Sequence, residues 1–420
     1  MASNAENPEA RRQSTEDQVQ LSSPGAPTPL SGATALSQSS NDSSMGGMSA
    51  MSSATSSAQY SSATSGASGP VDASGRSQFT AFELAIVMSH WDVGVIQKVQ
   101  EFPRGSRKAP KLVLKTDTGN YLLKRRARGK DDPYKVAFCH SLQFHLADRQ
   151  FPLPHLIGTK DNNNSMLQLN NRLYELFEYI KGISYDLSLE ATSDAGKILA
   201  LFHKLLKDFK SDYETPKGSY HQARPVYAAL KAIPNTMQKH STNAAELPRI
   251  NELAKFLYES YTAAAQKVDE LGLPDWPKQI IHSDWHSGNL LFRGQRVVAV
   301  IDYDAARIQP RMIDVANGAL QFSVIGGGEE PETWPEYLDE SRFKRFLRAY
   351  ESVPDCMLSV AEIETIPWLM IEALIAEAAI PIAATGSFGR LRGLGMMEMI
   401  FRKVKWLQNQ AAKLVDAVES

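Results

Sequence analysis

The segment IIHSDWHSGNLLFRGQRVVAVIDYDAA, residues 280–306, constrains the fold of this chain more than any other. Two apolar runs, at 290–292 and 297–301, flank Arg293-Gly294-Gln295-Arg296, a turn between antiparallel strands. Pairing of these runs sets Asn289 almost opposite Asp302 and brings an amide oxygen and a carboxylate within about 5 Å of each other. Hard oxygen donors at that spacing suit Mg²⁺. Asp284 stands five residues before Asn289, in a polar loop entering the first strand, where a carboxylate can accept the proton of an attacking hydroxyl beside a metal-bound phosphate. His282 is expected to brace that loop.

The rest of the chain divides near residue 78. Residues 1–78 hold 21 Ser, one aromatic, Tyr60, and no Ile, Phe, Trp or Cys. Such a segment cannot bury enough apolar surface to offset the entropy of ordering it, so it reads as a disordered tail. The tail carries three positive and six negative charges, leaving the remainder at +1 within a whole-chain net charge of −2. That balance gives no electrostatic case for nucleic acid or an anionic membrane as partner. Cys139 and Cys356 lie far apart without a CxxC pattern, which excludes a disulfide scaffold and a Cys-based zinc site and suggests reduced thiols in a cytoplasmic protein. The charged amino terminus lacks the apolar centre of a signal peptide. The longest apolar stretch, 367–384, is interrupted by Glu372 and Glu377 and reads as a buried amphipathic helix, with both glutamates solvated or, alternatively, facing a cationic substrate. Met and aromatic residues over 367–400 read as core, and so does His203.

From Phe79 the pattern is α+β. A short helix at 79–88 and a strand at 95–102 precede two short runs, 111–116 and 121–125, joined by Asp117-Thr118-Gly119-Asn120. A helix at 133–149 ends before Phe151-Pro152-Leu153-Pro154, and a second hairpin, 166–169 with 173–179, turns on Asn170-Asn171. Helices are expected at about 192–209, 222–233, 246–270, 339–350, 360–379 and 395–417, interrupted by the strand pair at 289–302. The chain thus reads as a tail, a small antiparallel sheet lobe with one helix over 79–181, and a larger helical lobe over 182–420, with a ligand cleft between lobes.

With these motifs in place, His282-x-Asp284-x4-Asn289 followed by Ile301-Asp302-Tyr303-Asp304 resembles the catalytic loop and metal motif of the aminoglycoside phosphotransferase and choline kinase-like branch of the protein-kinase fold. In that branch HGDxxxxN and IDFD are usual. DPYKVAFCHSLQFHLADRQFPLPHLIGT and YELFEYIKGISYD read like its CotS spore-coat and homoserine kinase-like subgroup. The resemblance implies a bilobal kinase-like fold and transfer of the ATP γ-phosphate to a hydroxyl of a small molecule. Carried onto this chain, it makes Asp284 the catalytic aspartate, Asn289 and Asp302 the Mg²⁺ ligands, and Lys124 the strand lysine on the α- and β-phosphates. Asp314 matches the aspartate that braces the catalytic loop. Glu178, Tyr179 and Ile180 fall where the interlobe linker offers backbone groups to adenine, and Gly105 and Ser106 where a loop covers the phosphates.

The chain departs from the family pattern at three places. The loop over 102–110 has one glycine and no GxGxxG. The helix at 133–149 has no glutamate to pair with Lys124, and His140 or Gln143 stands nearest that place. Ser283 and Tyr303 replace the usual glycine and phenylalanine. A solvated basic run, Lys124-Arg125-Arg126, and an H-x-D-x-H zinc site at 282–286 are the competing local readings. The competing functions are a kinase-like binding protein without activity, which the departures favour, and a protein kinase. Only eleven residues separate Asp302 from Asp314 and no Ala-Pro-Glu follows, which leaves no room for an activation segment. Acceptor identity and oligomeric state are not encoded in these motifs.

Overall fold

The computed structural model describes residues 71, 75–102, 105–240 and 243–419. The tail expected over 1–78 lies almost wholly outside them, as do Pro103 and Arg104 of the loop expected to cover the phosphates. The last tail residues are fastened to the first hairpin: the Ser77 amide donates to the Arg107 carbonyl and the Gln78 side chain to Glu101 Oε1, each at 2.9 Å. Thr80 caps α1 (Ala81–Met88) by accepting from the Glu83 amide. The helix then delivers Val87 and Met88 to a small core with Trp91, Leu114, Leu123 and Leu176.

Five strands form one antiparallel sheet: β1 (Ile96–Glu101), β2 (Lys111–Thr116), β3 (Asn120–Arg125), β4 (Leu167–Leu169) and β5 (Arg172–Glu178), ordered β1-β2-β3-β5-β4. The β4–β5 turn places Asn170 and Asn171 at φ 50 and 55, the left-handed pair that matches strand twist and that asparagine tolerates. Between β3 and β4 runs α2 (Pro133–Ala147), opened by Asp132, whose carboxylate accepts from the Tyr134 and Lys135 amides. This is the small sheet lobe with one inserted helix expected from sequence.

Beyond residue 182 the chain is mostly helical, with α3 (Leu189–Leu206), α4 (Arg224–His240) and α5 (Leu247–Glu270). Four strands follow: β6 (Lys278–Ile281), β7 (Leu290–Arg293), β8 (Arg296–Val300) and β9 (Arg307–Pro310). β7 pairs with β8 as expected, and β6 pairs with β9. The chain then forms α6 (Met312–Ser323), α7 (Glu340–Glu351), α8 (Val360–Thr385), a two-residue pair β10 (Ser387–Phe388) and β11 (Leu391–Arg392), and α9 (Gly393–Glu419). The β6–β9 ladder and α6 have no counterpart in the sequence reading. Both strands are four residues long, and α6 contains Asn317 and Gly318, weak helix formers held by their surroundings.

α8 occupies the middle of this lobe, packed by α4, α5, α6 and α9. It is long and apolar enough to cross a bilayer, yet between Thr365 and Ala379 every position except Trp368 is buried. It is therefore apolar on all sides rather than amphipathic. The expected solvation of its glutamates is overturned: Glu372 is fully buried and Glu377 is 4% exposed. The loop before α4 folds over Glu372, which accepts from His221 Nδ1 (2.8 Å) and the Gln222 amide (3.1 Å). Cys139 and Cys356 are buried free thiols.

Candidate active site

The loop that carries Asp284 follows β6, whose partner β9 runs straight into α6 and so sets Asp314 beside it. Asp314 is fully buried, and its two carboxylate oxygens accept from the His282 amide at 2.6 Å and the Ser283 amide at 2.7 Å. His203 Nε2 lies 3.3 Å from the same carboxylate. These bonds hold Ser283 at φ 63, a conformation that costs a residue other than glycine about 1–2 kcal/mol. The His282 ring is packed among Phe202, Trp285 and Tyr303 at centroid distances of 5.4 to 5.7 Å, and burial lowers its pKa. Among the described residues no group of three His, Cys, Asp or Glu is placed to hold a metal.

A single 3₁₀ turn, Ser287–Asn289, leads from the loop into β7. The Asn289 side-chain NH₂ donates to Asp284 Oδ2 at 2.9 Å and to the Asp284 carbonyl at 3.0 Å. This directs its amide oxygen away from the aspartate. His286 Nε2 lies 3.8 Å from Asp284 Oδ2, and its Nδ1 accepts from the Gly288 amide. The Ile301 amide donates to the Asn289 carbonyl, so Asp302 follows one residue beyond the direct partner, close to its expected place. Asp302 is exposed, at φ 66, and the nearby cations are taken by Asp304. One amide oxygen and one carboxylate without a cationic partner within 4 Å among the described residues form a donor set that fits a divalent cation.

Across from this loop the sheet contributes a buried charge cluster. Glu175, fully buried on β5, accepts from Arg126 Nε at 2.7 Å, Arg126 Nη2 at 2.9 Å and His140 Nε2 at 2.8 Å. Lys124 Nζ lies 3.5 Å from Glu175 and 3.8 Å from Asp304, and Arg126 Nη2 bonds Asp304 at 2.8 Å. Burial opposes every charge here, but Arg126 and Lys124 together hold Glu175 well below the usual carboxylate range. Asp304 and Glu175 outweigh burial and Arg126 to raise the Lys124 pKa. The Lys124-Arg125-Arg126 run is thus paired rather than solvated, with Arg125 and Arg126 buried and Lys124 part-buried; Arg125 meets Glu83 of α1 at 2.6 Å.

The missing helix glutamate is replaced from another element. Glu175 is the direct cross-strand partner of Lys124 in the β3–β5 ladder, and His140 on α2 bonds Glu175 instead of meeting the lysine. Gln143 turns back to the Cys139 carbonyl. Sequence reasoning missed Glu175 because both runs were read as strands without being paired to each other. Asp304 stood in the quoted motif without a role.

At the linker, the Glu178 amide donates to the His155 carbonyl and the Tyr179 amide to the Asn120 carbonyl. The sheet thus already uses two of the three amides expected to face adenine, leaving Ile180 as the first whose amide makes no such bond among the described residues. Ile183 then exchanges two backbone bonds with Phe292 of β7, tying the linker to the helical lobe. In the loop over the sheet, Gly105 has φ 82, and Ser106 Oγ accepts from the Lys108 amide while its carbonyl accepts from the Ala109 amide.

The chain is similar to known proteins. A homoserine kinase of Methylocella silvestris is 25% identical over 236 residues, which cover 56% of this chain and 67% of that protein. An aminoglycoside phosphotransferase from Alicyclobacillus acidocaldarius superposes with a TM-score of 0.60 at 16% identity, covering 82% of this chain and 98% of its own. An amicoumacin kinase in complex with AMP-PNP, Ca²⁺ and Ami gives a TM-score of 0.56 at 12% identity over 79% of this chain and 94% of its own. At these identities the two structures establish the shared kinase-like fold. The sequence model of the phosphotransferase enzyme family matches residues 98–360, well over half of the chain and all of the site just described, so the chain belongs to that family and is a small-molecule phosphotransferase.

Proposed function

We propose that this enzyme transfers the γ-phosphate of ATP to the hydroxyl of a small amino acid or amino alcohol, with Asp284 as the catalytic base. The observation that carries this reading is the fixing of Asp284 from two sides: Asn289 binds its carboxylate and its carbonyl, and Asp314 holds the two preceding amides. A carboxylate so positioned orients an acceptor hydroxyl and takes its proton as the phosphoryl group arrives. Asn289 through its amide oxygen and Asp302 through its carboxylate would hold Mg²⁺, which when bound neutralises charge on the phosphates. Lys124, kept charged by Glu175 and Asp304, meets the α- and β-phosphates, and the Ile180 amide is the linker's donor to adenine. The sheet lobe over 79–181 thus holds nucleotide, and the helical lobe over 182–420 supplies the catalytic loop and the acceptor site.

The acceptor class rests on the homoserine kinase relatives and on Arg307. This residue is partly exposed on β9, donates from Nε to the Ala305 carbonyl at 2.8 Å, and feels the charges of Asp314 and Asp284. A guanidinium beside the catalytic carboxylate suits an acceptor that carries a carboxylate of its own.

The test is ADP release with Mg²⁺ and ATP across homoserine and related hydroxy amino acids, amino alcohols, aminoglycosides and sugars. Asp284→Asn is expected to lower turnover at least about a thousandfold, since it removes base and orienting charge together, while MgATP still raises the melting temperature. Unchanged turnover in that variant, or turnover confined to sugars, sinks the respective half of the proposal.

A further inference from the structure

The phosphate-covering loop lacks the glycines whose amides ordinarily cradle phosphate. Directly beneath it the sheet presents a second lysine. Lys111 opens β2 and is the direct cross-strand partner of Lys124, so the two side chains leave the same face of the sheet. The Gly105 backbone descends so far onto the Lys111 ammonium that a Cβ at Gly105 would lie 2.9 Å from Nζ. At φ 82 this glycine is the one loop residue whose conformation and lack of side chain permit that approach.

Like charges set opposite each other on a sheet repel. Lys124 is compensated by Glu175 and Asp304. Lys111 has no carboxylate within 4 Å among the described residues: Glu175 and Asp304 turn toward Lys124 and Arg126. Burial and the Lys124 charge lower the Lys111 pKa, with Asp302, Asp304 and Glu175 opposing from farther away. A half-buried ammonium beside another, roofed by backbone, lacks the anion that would balance it.

We propose that Lys111 is a second phosphate-binding cation, which contacts the polyphosphate from below and takes over the anchoring that a glycine-rich loop supplies from above. It rests on the reading of this site as a nucleotide site, and it assigns to Lys111 a contact distinct from that of Lys124: Lys111 lies under the loop at Gly105, whereas Lys124 lies toward Glu175 and Asp304.

The experiment is isothermal titration of the full chain and its Lys111→Gln and Lys111→Arg variants with MgATP, adenosine and inorganic tripolyphosphate. Lys111→Gln is expected to weaken MgATP and tripolyphosphate at least tenfold, leave adenosine unchanged, and leave the unliganded melting temperature equal or higher because a like-charge pair is relieved. Lys111→Arg is expected to restore most of the polyphosphate affinity. In steady state the glutamine variant raises KM for ATP with kcat little altered. Equal tripolyphosphate affinity in wild type and Lys111→Gln overturns the proposal, as does a parallel loss of adenosine, which marks a merely structural role. Wild type that binds tripolyphosphate through Lys111 but does not bind ATP overturns the nucleotide reading and leaves this one standing; wild type that binds neither overturns both.

Discussion

Two groups of carboxylates in this molecule are held by opposite means. Glu175 and Asp304 are closed by cations: Arg126 bridges both, Lys124 lies 3.5 and 3.8 Å away, and His140 shares Glu175 Oε1 with Arg126. Asp284 and Asp314 are held by neutral donors, the Asn289 amide and the backbone N–H groups of His282 and Ser283. A carboxylate neutralised by buried guanidinium and ammonium has little capacity left for a ligand. One held by amide donors is not offset by a counter-ion at those contacts. The first group ties together the sheet that carries Lys124; the second fixes the loop on which the proposed base stands.

The comparison breaks most decisively at Glu175. Glu175→Gln leaves Arg126 and Lys124 buried with half their compensation, and removal of one partner from a buried ion pair costs about 3–5 kcal/mol. Urea denaturation should show a loss of that size. Asp284→Asn, by contrast, exchanges one neutral-donor arrangement for another and should shift the midpoint by less than about 1 kcal/mol while turnover collapses. Equal stability losses in the two variants would show that the groups do not differ in kind.

A third carboxyl sharpens the contrast because, among the described residues, it has no cationic partner and a single neutral donor. Glu377 on α8 accepts one bond, from Gln321 Nε2 at 2.9 Å, and its other oxygen is buried without a hydrogen-bond partner. Burial and the Asp284 charge raise its pKa well above the usual carboxylate value, with the Gln321 bond opposing. An acid whose folded pKa is raised binds more protons folded than unfolded, so its contribution to stability is intact below the ordinary carboxylate pKa and declines as pH rises above it. Glu377→Gln deletes this group from the titration. The melting temperature of the variant relative to wild type should therefore rise steadily from pH 4.5 to pH 8; a difference independent of pH would mean that Glu377 titrates normally. Asp314, anchored by two amides, should show no such benefit from conversion to Asn, since the amide supplies only one strong acceptor for two donors.

Much of this was legible because the signals are local. Asp117-Thr118-Gly119-Asn120 and Asn170-Asn171 specify their turns by backbone chemistry, and the spacing from Asp284 to Asn289 and Asp302 is set by one loop and one hairpin. What was not legible depends on pairing between distant segments. Glu175 reaches Lys124 only because β5 adds to β3, and a glutamate sought on the helix was supplied by the sheet. Glu372 and Glu377 read as solvated because their burial is decided by four other helices, not by the periodicity of α8. Lys111 looked like an ordinary strand residue; its register with Lys124 and the descent of Gly105 give it meaning. Asp314 was identified by its motif, while its geometry required β6 to pair with β9, two strands too short to announce themselves.

The smallest expected effect lies in the loop that carries Asp284. Ser283 occupies the position where the family pattern has glycine, and its φ of 63 shows why glycine is usual there. Its Oγ makes no hydrogen bond among the described residues; only its amide is used, by Asp314. Ser283→Gly removes the left-handed penalty of about 1–2 kcal/mol but adds unfolded-state freedom worth about 0.4–1 kcal/mol, so a net gain of up to about 1.5 kcal/mol is expected. The Asp314 bonds are backbone-directed and survive the change, so kcat should stay within about twofold, since the position of Asp284 is unaltered. A stability gain with constant kcat would show that the neutral donors alone hold Asp284 in place. A gain accompanied by a clear fall in kcat would show instead that the serine's stiffness helps to position Asp284, and that the amide-held carboxylates need local strain where the cation-held ones need only charge.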